Sequence, residues 1–364
     1  MRGRSIQVST LSIGIVSASD VAGGAEKHCV ALASGLRRRG HEVVLYGQCP
    51  GWDEAGLPRQ PVELGPKWSR RTLAGGLLRV PMERHAMRGL PQRSLFHLQF
   101  KREQLALTRS LSRRAPVVWT EHGRWMDGVV GRLLLHGYAR ASRHVAKVVC
   151  VSGAVADDIR EAVGADKVAV VPNAIDTARY AVTPARRARA RETLLPPRLR
   201  DCTVAVLAAR LHPDKRHDRA VITALATGTP LIVIGDGPDR ARLQHLADGR
   251  PDTLFVGRRD DVAEWLAAAD LYVYCGTQTA EGTPYAVLEA AASGLPIVGF
   301  RGDAGNDLVE HCGGAVVSGP SEVTGDLIAA LVLRRGTGVG YVSREHGLEA
   351  WVDAYERIFR ECTA

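Results

Sequence analysis

Aromatic residues are scarce in this chain of 364 residues, at 5%, and no RNA-binding aromatic motif stands out among them. That scarcity makes nucleic acid the weakest of the candidate partners. No apolar run approaches the ~20 residues that a bilayer span requires. The polar segment Met1–Thr10 and the short, interrupted apolar stretch after it do not read as a signal peptide. The seven cysteines (Cys29, Cys49, Cys150, Cys202, Cys275, Cys312 and Cys362) are scattered, odd in number and without a C-x-x-C pair. This excludes a disulfide framework and a structural zinc, and it points to a reducing cytoplasm.

What is present is an ordinary apolar share, 45%, with 24% charged residues and a formal charge of +9. The length suits two domains, each with its own core. The positive charge is unevenly spread: between Leu64 and Val149 basic residues outnumber acidic ones by about four to one. An excess of that size steers anions. An anionic membrane surface and a phosphorylated small molecule both fit it, as does a bland compositional bias toward arginine. Within Arg70–Arg114, Arg70, Arg71, Arg79, Arg84, Arg88 and Arg93 are interleaved with Leu73, Leu77, Leu78, Val80 and Met82. That pattern is read either as a helix lying on a surface, giving weak peripheral membrane attraction, or as a solvated face.

The chain opens with an apolar strand, Ser12–Ser17, a glycine-bearing loop and a helix over about Ala25–Arg39 that Gly40 stops. His41–Gly47 reads as a second buried strand. Pro116–Thr120, Lys147–Val151 and Val168–Val171 read as further strands of the same parallel sheet, covered by helices. A polar, Arg- and Pro-rich stretch, Asp176–Asp201, separates these from a second series. That series comprises Thr203–Ala208, Pro230–Ile234, Thr253–Val256, Leu271–Cys275 and Pro296–Phe300. The expected fold class is α/β, with two doubly wound Rossmann-like domains, 1–176 and 177–346, facing a central cleft. The final segment, 347–364, carries Leu348, Trp351, Tyr355 and Phe359 at helical spacing and reads as a packing stripe. Ligands of such sheets bind at the carboxyl ends of the strands.

The most informative stretch is Glu281-Gly282-Thr283-Pro284-Tyr285-Ala286-Val287-Leu288-Glu289. Thr283 is expected to cap a helix that Pro284 begins and that runs to Ser293, before Gly294. The N–H groups at its start suit a phosphate. Glu281 sits just outside this helix, and Glu289 lies on an otherwise apolar segment, where burial would require a partner. The two carboxylates suit hydroxyl groups on either side of a diphosphate; equally, they read as an N-terminal acid favouring the dipole plus one solvated Glu. Arg210 and Lys215 follow a strand and suit charge on a leaving phosphate. Gly235-Asp236-Gly237-Pro238 closes the next strand. Gly23-Gly24-Ala25-Glu26 lies at the first strand-to-helix turn, where glycine permits close backbone approach, without forming a G-x-G-x-x-G fingerprint. His122 ends a first-domain strand where ligands bind. No Asp-x-Asp pair is placed to hold a metal.

Taken in order, Gly23–Glu26, Val170–Asp176, Arg210 with Lys215, Gly235–Pro238, Phe255–Gly257 and Glu281 with Glu289 resemble glycosyltransferase family 4. These are retaining nucleotide-sugar transferases of the GT-B fold, and the resemblance runs from about Ser12 to Phe359. It implies that Glu281 and the backbone after it, Gly282 to Ala286, hold the transferred sugar, and that Glu289 binds the ribose. It also implies Arg210 and Lys215 on the diphosphate, Gly23 and Gly24 near the β-phosphate, and His122 beside the sugar. Val256 and Arg258 would lie near the base, and the last helix would cross back to the first domain. The chain departs from the family pattern at Arg216, where glycine is usual. It departs again at Asp303–Asp307 and at Thr283-Pro284-Tyr285.

The resemblance implies a metal-independent hexosyltransferase without a cofactor, with a UDP-sugar favoured over a GDP-sugar. The acceptor would be a small molecule, a glycan or a lipid-linked sugar, in natural-product, glycolipid or cell-envelope synthesis. The protein would be cytoplasmic, with some peripheral attraction to the inner membrane face. A nucleotide-sugar epimerase of the same architecture and a non-catalytic nucleotide- or membrane-binding regulator are the competing classes.

Overall fold

The computed structural model describes residues 9–20, 23–65, 73–125, 128–276 and 282–364. The chain divides into two compact units, one of residues 1–172 with 349–364 and the other of residues 173–348.

The first unit is built on a seven-stranded parallel sheet. Its strands are β1 (Ser12–Ala18), β2 (Glu42–Gln48), β3 (Arg59–Gln60), β4 (Leu95–Leu98), β5 (Val117–Glu121), β6 (Lys147–Cys150) and β7 (Val168–Val170). Their order is β3-β2-β1-β4-β5-β6-β7. Strands covered on both faces are apolar throughout: Ile13, Ile15, Val16, Leu95, Phe96, Val117, Val118 and Trp119 are almost wholly buried. The order reverses between β1 and β4, so ligands are expected outside the carboxyl ends of those two strands. The helix Gly24–Arg38 follows β1 and ends before Gly40, whose φ of +86° suits only glycine without strain.

The closing helix Leu348–Thr363 packs on this unit through Trp351, Tyr355 and Phe359, all buried, so its stripe is a packing stripe. Its acidic face meets the positive end of the first helix. Arg39 reaches Glu349, Asp353 and Glu356, and Glu356 also lies 3.2 Å from His41 Nε2 and 2.8 Å from Arg360.

The second unit holds a six-stranded parallel sheet: β8 (Ala205–Ala208), β9 (Leu231–Ile234), β10 (Thr253–Gly257), β11 (Leu271–Val273), β12 (Ile297–Phe300) and β13 (Ala315–Val317). The order is β10-β9-β8-β11-β12-β13, with its reversal between β8 and β11.

Two readings of the sequence are corrected here. The stretch Asp176–Asp201 is not a separating linker but part of the second unit's packing. It forms the helices Thr177–Tyr180 and Pro184–Leu194. Arg187 and Arg191, one turn apart, bind Asp270 and the carbonyls of Ala267, Ala268 and Ala269 at the end of another helix. Cations are favoured at a helix C-terminus, which is why this arginine-rich helix docks rather than floats.

Likewise Arg70–Arg114 is not one surface helix. It contains the helix Leu73–Arg88, the strand β4 and the helix Lys101–Leu111. Much of its charge is internal wiring: buried Arg102 pairs with Glu83, Arg93 with Glu42 and the Tyr46 hydroxyl, and Arg84 with the Ala106 carbonyl. Arg70 and Arg71 lie outside the described residues. Leu78 and Met82, one turn apart on the helix Leu73–Arg88, remain exposed at 80% and 71%.

Candidate functional site

In the second unit the loops after β8 and β9 are knitted together by their backbones. The Ala209 N–H donates to Ile234 O at 3.0 Å, Leu211 N–H to Asp236 O at 2.9 Å, and Asp239 N–H to Leu211 O at 3.2 Å. This closeness requires glycine. A Cβ at Gly235 would stand 1.9 Å from Ala209 O, and one at Gly237 would stand 2.2 Å from Leu211 O. Both residues also have positive φ, +133° and +151°. The Gly-Asp-Gly-Pro turn therefore clamps the loop that carries Arg210.

Arg210 itself is exposed and has no carboxylate partner among the described residues. Lys215 ends the short helical turn Pro213–Lys215. Beside it, His217 is fully buried, and its burial, together with the Lys215 charge, pushes its imidazole down to about 4. Val256 is half-buried near the end of β10, and Arg258 is exposed just beyond it, past Gly257.

Glu281 lies outside the described residues. Gly282 and Thr283 form a bend, and the helix begins one residue later than expected: Pro284 is its N-cap and Tyr285–Ala292 its body. The reason is that Pro284 O accepts the first helical N–H, from Val287 at 3.2 Å, while Thr283 O is taken by the Asn173 side chain at 2.7 Å. Tyr285 and Ala286, half-buried, form the first turn of the helix, and Glu289 is buried at 5% exposure. Its partner is Tyr180, whose hydroxyl burial and the nearby Glu289 carboxylate push well up.

Three residues here were given no role by the sequence, although Asn173 lies in the family-like segment Val170–Asp176. Asn173, buried, ties the Val-Pro-Asn segment to Thr283 and accepts from His346 Nδ1 through its carbonyl at 2.7 Å. Asp303 and Arg219 form a buried ion pair, and Asp303 Oδ2 also accepts the Gly276 N–H at 2.8 Å. This pair therefore fixes the backbone at Gly276, the last described residue after β11. Single polar residues, whether in loops like Asn173 and Asp303 or on a helix like Arg219, have no periodicity to betray them. Asp303 showed only as a departure from the family pattern.

In the first unit, Gly23 caps the helix Gly24–Arg38 in an extended conformation, and Gly24 is the first helical residue. Buried Glu26 bonds the Ser19 hydroxyl, closing the loop after β1. His122 directly follows β5. Its Nε2 lies 2.9 Å from Gln99 Oε1, and its ring meets His28 edge-on at 4.7 Å. Burial, with His28, His97 and Lys101 nearby, holds His122 well below its ordinary range, so it is neutral near pH 7. The adjacent Glu121 is turned away, paired with Lys101 and with the Tyr138 hydroxyl. Among the described residues no group of three or more His, Cys, Asp or Glu is placed to hold a metal.

A separate cavity of about 510 Å3 lies at the opposite, amino ends of β5 and β6, lined by Arg113, Arg114, Arg143 and His144. These basic residues follow the C-termini of the helices Lys101–Leu111 and Gly128–Ser142, where they complement the helix dipoles. The ligand edge is therefore sought at the other end of the sheet, despite that cavity's size.

Two family models match the chain. The model described as Glycosyltransferase Family 4 covers residues 22–179, and Glycosyl transferases group 1 covers residues 204–333. A GDP-mannose-dependent alpha-(1-6)-phosphatidylinositol dimannoside mannosyltransferase of Mycobacterium tuberculosis (strain ATCC 25177 / H37Ra) is 30% identical over 54% of this chain and 51% of its own. The chain thus spans about half the length of that relative. The alpha-monoglucosyldiacylglycerol synthase of Acholeplasma laidlawii is 24% identical over 82% of this chain and 83% of its own. Among solved structures, Anabaena Alr3699/HepE in complex with UDP superposes with a TM-score of 0.79, at 17% identity, over 96% of this chain and all of that one. The two parallel α/β units are those of the GT-B fold. With one model on each unit, the chain belongs to the family-4 type of glycosyltransferases.

Proposed function

We propose that this family-4 type glycosyltransferase moves a hexosyl group from a nucleoside-diphosphate sugar to an acceptor hydroxyl, with retention and without a metal. The observation that carries the reading is Arg210. It is an exposed cation uncommitted to any described carboxylate, on a loop clamped rigidly by Gly235 and Gly237 at the carboxyl edge of the second sheet. With Lys215 it supplies fixed positive charge where a diphosphate leaves, so that charge developing in the transition state meets cations already in place. The N–H groups at the start of the helix Tyr285–Ala292 add to this field.

In this reading Glu281, with Gly282, Thr283, Pro284, Tyr285 and Ala286, holds the sugar, and Glu289 the ribose. Val256 and Arg258 flank the base, Gly23 and Gly24 approach the β-phosphate, and His122 contacts the sugar. The second unit is the donor unit and the first the acceptor unit. The mannosyl- and glucosyltransferase names of the relatives support a glycolipid acceptor, and exposed Leu78 and Met82 beside Arg79 support peripheral contact with an anionic membrane.

The first donors to test are GDP-mannose and UDP-glucose. A functional donor stabilises the purified protein against heat and releases its nucleoside diphosphate on adding acceptor. Replacing Arg210 or Lys215 by alanine lowers that release by roughly a hundredfold, the scale of one electrostatic contact. A panel of UDP- and GDP-hexoses that leaves the melting temperature unmoved would sink the reading. So would an Arg210→Ala/Lys215→Ala double variant that releases nucleotide at the native rate.

A further inference from the structure

His122 is neutral, so it carries one ring proton, and its neighbour decides which nitrogen holds it. Gln99 is that neighbour. It directly follows β4, whose residues His97 and Leu98 pair with Val118 and Trp119 of β5, and it is 3% exposed. Its Oε1 lies 2.9 Å from His122 Nε2. With the amide oxygen turned toward the ring, as it stands here, the contact places the imidazole proton on Nε2 and leaves Nδ1 its lone pair. No described residue is hydrogen-bonded to Nδ1.

The ring is held on further sides by the edge contact with His28 and by Phe100, tilted at 6.4 Å. His28 is in turn packed against Trp351 at 4.7 Å and Tyr355 at 5.4 Å. Around it stand His28 from the helix Gly24–Arg38, His97 from β4, Lys101 from the helix Lys101–Leu111 and Glu121 from β5. The helix Leu348–Thr363 contributes Tyr355, hydrogen-bonded to Thr120 at 3.2 Å. Glu121, the carboxylate of that set, is spent on Lys101 and Tyr138. Among the described residues around the ring, none stabilises an imidazolium. A glutamine, unlike a carboxylate, fixes the proton without attracting a second one.

We infer that Gln99 is a positioning residue that fixes the His122 proton on Nε2 and so presents Nδ1 as a hydrogen-bond acceptor for a hydroxyl of the bound sugar. The inference rests on the proposed placing of His122 beside the sugar, and it adds the direction of that contact and the residue that sets it.

The test has two independent readouts. In the native protein labelled with 15N-histidine, long-range proton–nitrogen correlations show His122 as the Nε2-protonated tautomer, its signals assigned by their loss in His122→Gln. In Gln99→Met, which keeps side-chain length without an acceptor, the signal becomes a mixture of tautomers and kcat falls roughly tenfold, the value of one hydrogen bond. In Gln99→Glu, the new carboxylate raises the His122 pKa toward neutrality. That variant then loses activity as pH falls through the new value, while the native rate shows no His122 inflection between about pH 6 and 8.

An Nδ1-protonated His122 in the native protein, or an unchanged tautomer in Gln99→Met, overturns the inference. Nucleotide release with normal donors but no movement of the His122 Nδ1 signal on saturation overturns its sugar-facing half. Failure of every donor sinks the proposed function instead, and leaves the tautomer to be decided by the spectra alone.

Discussion

The buried pair of Asp303 and Arg219 should make the second unit unusually sensitive to one substitution. Their side chains are only 5% and 6% exposed. In Asp303→Ala the guanidinium would keep the Gly276 carbonyl at 3.4 Å and the face of Phe300 at 4.5 Å, but no anion. The Gly276 N–H would also lose its acceptor. Breaking a buried ion pair from one side costs about 3–5 kcal/mol, and the orphaned N–H overlaps with that figure rather than adding in full. The expected loss is therefore about 4 kcal/mol. Arg219→Met in the same chain removes the stranded charge, so the double variant should recover about half. Because two units need not unfold together, the readout should be local. Native-state hydrogen exchange in peptides from β11 and β12 reports the opening free energy of this unit. A loss below about 1 kcal/mol in Asp303→Ala, or a double variant no better than the single one, would refute the assignment of Asp303 as the counter-ion on which Arg219 depends.

Other outcomes follow from local geometry. Arg216 has a left-handed backbone, φ +48° and ψ +44°, and an exposed side chain, so Arg216→Gly should stabilise the second unit by about 0.5–1 kcal/mol, read as a rise of a few degrees in its melting temperature. Gly305 also has positive φ, +87°, and a Cβ there would stand 2.6 Å from Pro284 Cγ. Gly305→Ala should cost about 3 kcal/mol in urea unfolding but only about 1–2 kcal/mol in a Pro284→Ala background, where strain remains and the clash does not. Glu356 would be raised by burial, yet hydrogen bonds from Arg360, Arg39 and His41 hold it at about 2, below its ordinary 4.5. Its stabilising contribution is therefore full above about pH 4.5 and fades as pH falls toward 2. Glu356→Gln should accordingly melt lower than the native protein at pH 7, with the gap narrowing between pH 4.5 and pH 2.

The long buried strands were legible because their apolar runs and glycine stops are local signals. β1, β2, β5 and most of the second sheet fall where the sequence places them. β3, β4 and β13 were not legible. β4 is four residues embedded in an arginine-rich stretch, and its pairing with β1 and β5 supplies the stability that local propensity does not. The arginines misled in the same way twice. Arg93, Arg102, Arg187 and Arg191 are buried or half-buried connectors, and only their distant partners distinguish them from a solvated face. At the candidate site, Arg210, His122 and Glu289 stand at the strand ends and helix positions expected of them. The partners of His122 and Glu289, Gln99 and Tyr180, and the neighbouring anchors Asn173 and Asp303, are each a single polar residue whose role exists only once the chain is folded.

The departures from the family pattern are not independent of one another. Pro284 fits as the cap of the Tyr285 helix only because residue 305 has no side chain to meet its ring. Gly305 in turn lies within Asp303–Asp307, whose first residue binds Gly276 and whose Ala304 carbonyl accepts the Tyr274 hydroxyl at 2.8 Å. Thr283 belongs to the same assembly through Asn173. Thr283-Pro284-Tyr285 and Asp303–Asp307 thus pack on one another, with Asp303 binding Gly276 and Asn173 binding Thr283. A change of sugar preference would then require both segments to change together. A replacement of 303–307 that put a side chain at 305 would meet the Pro284 ring, and one without an acid at 303 would leave Arg219 without its counter-ion.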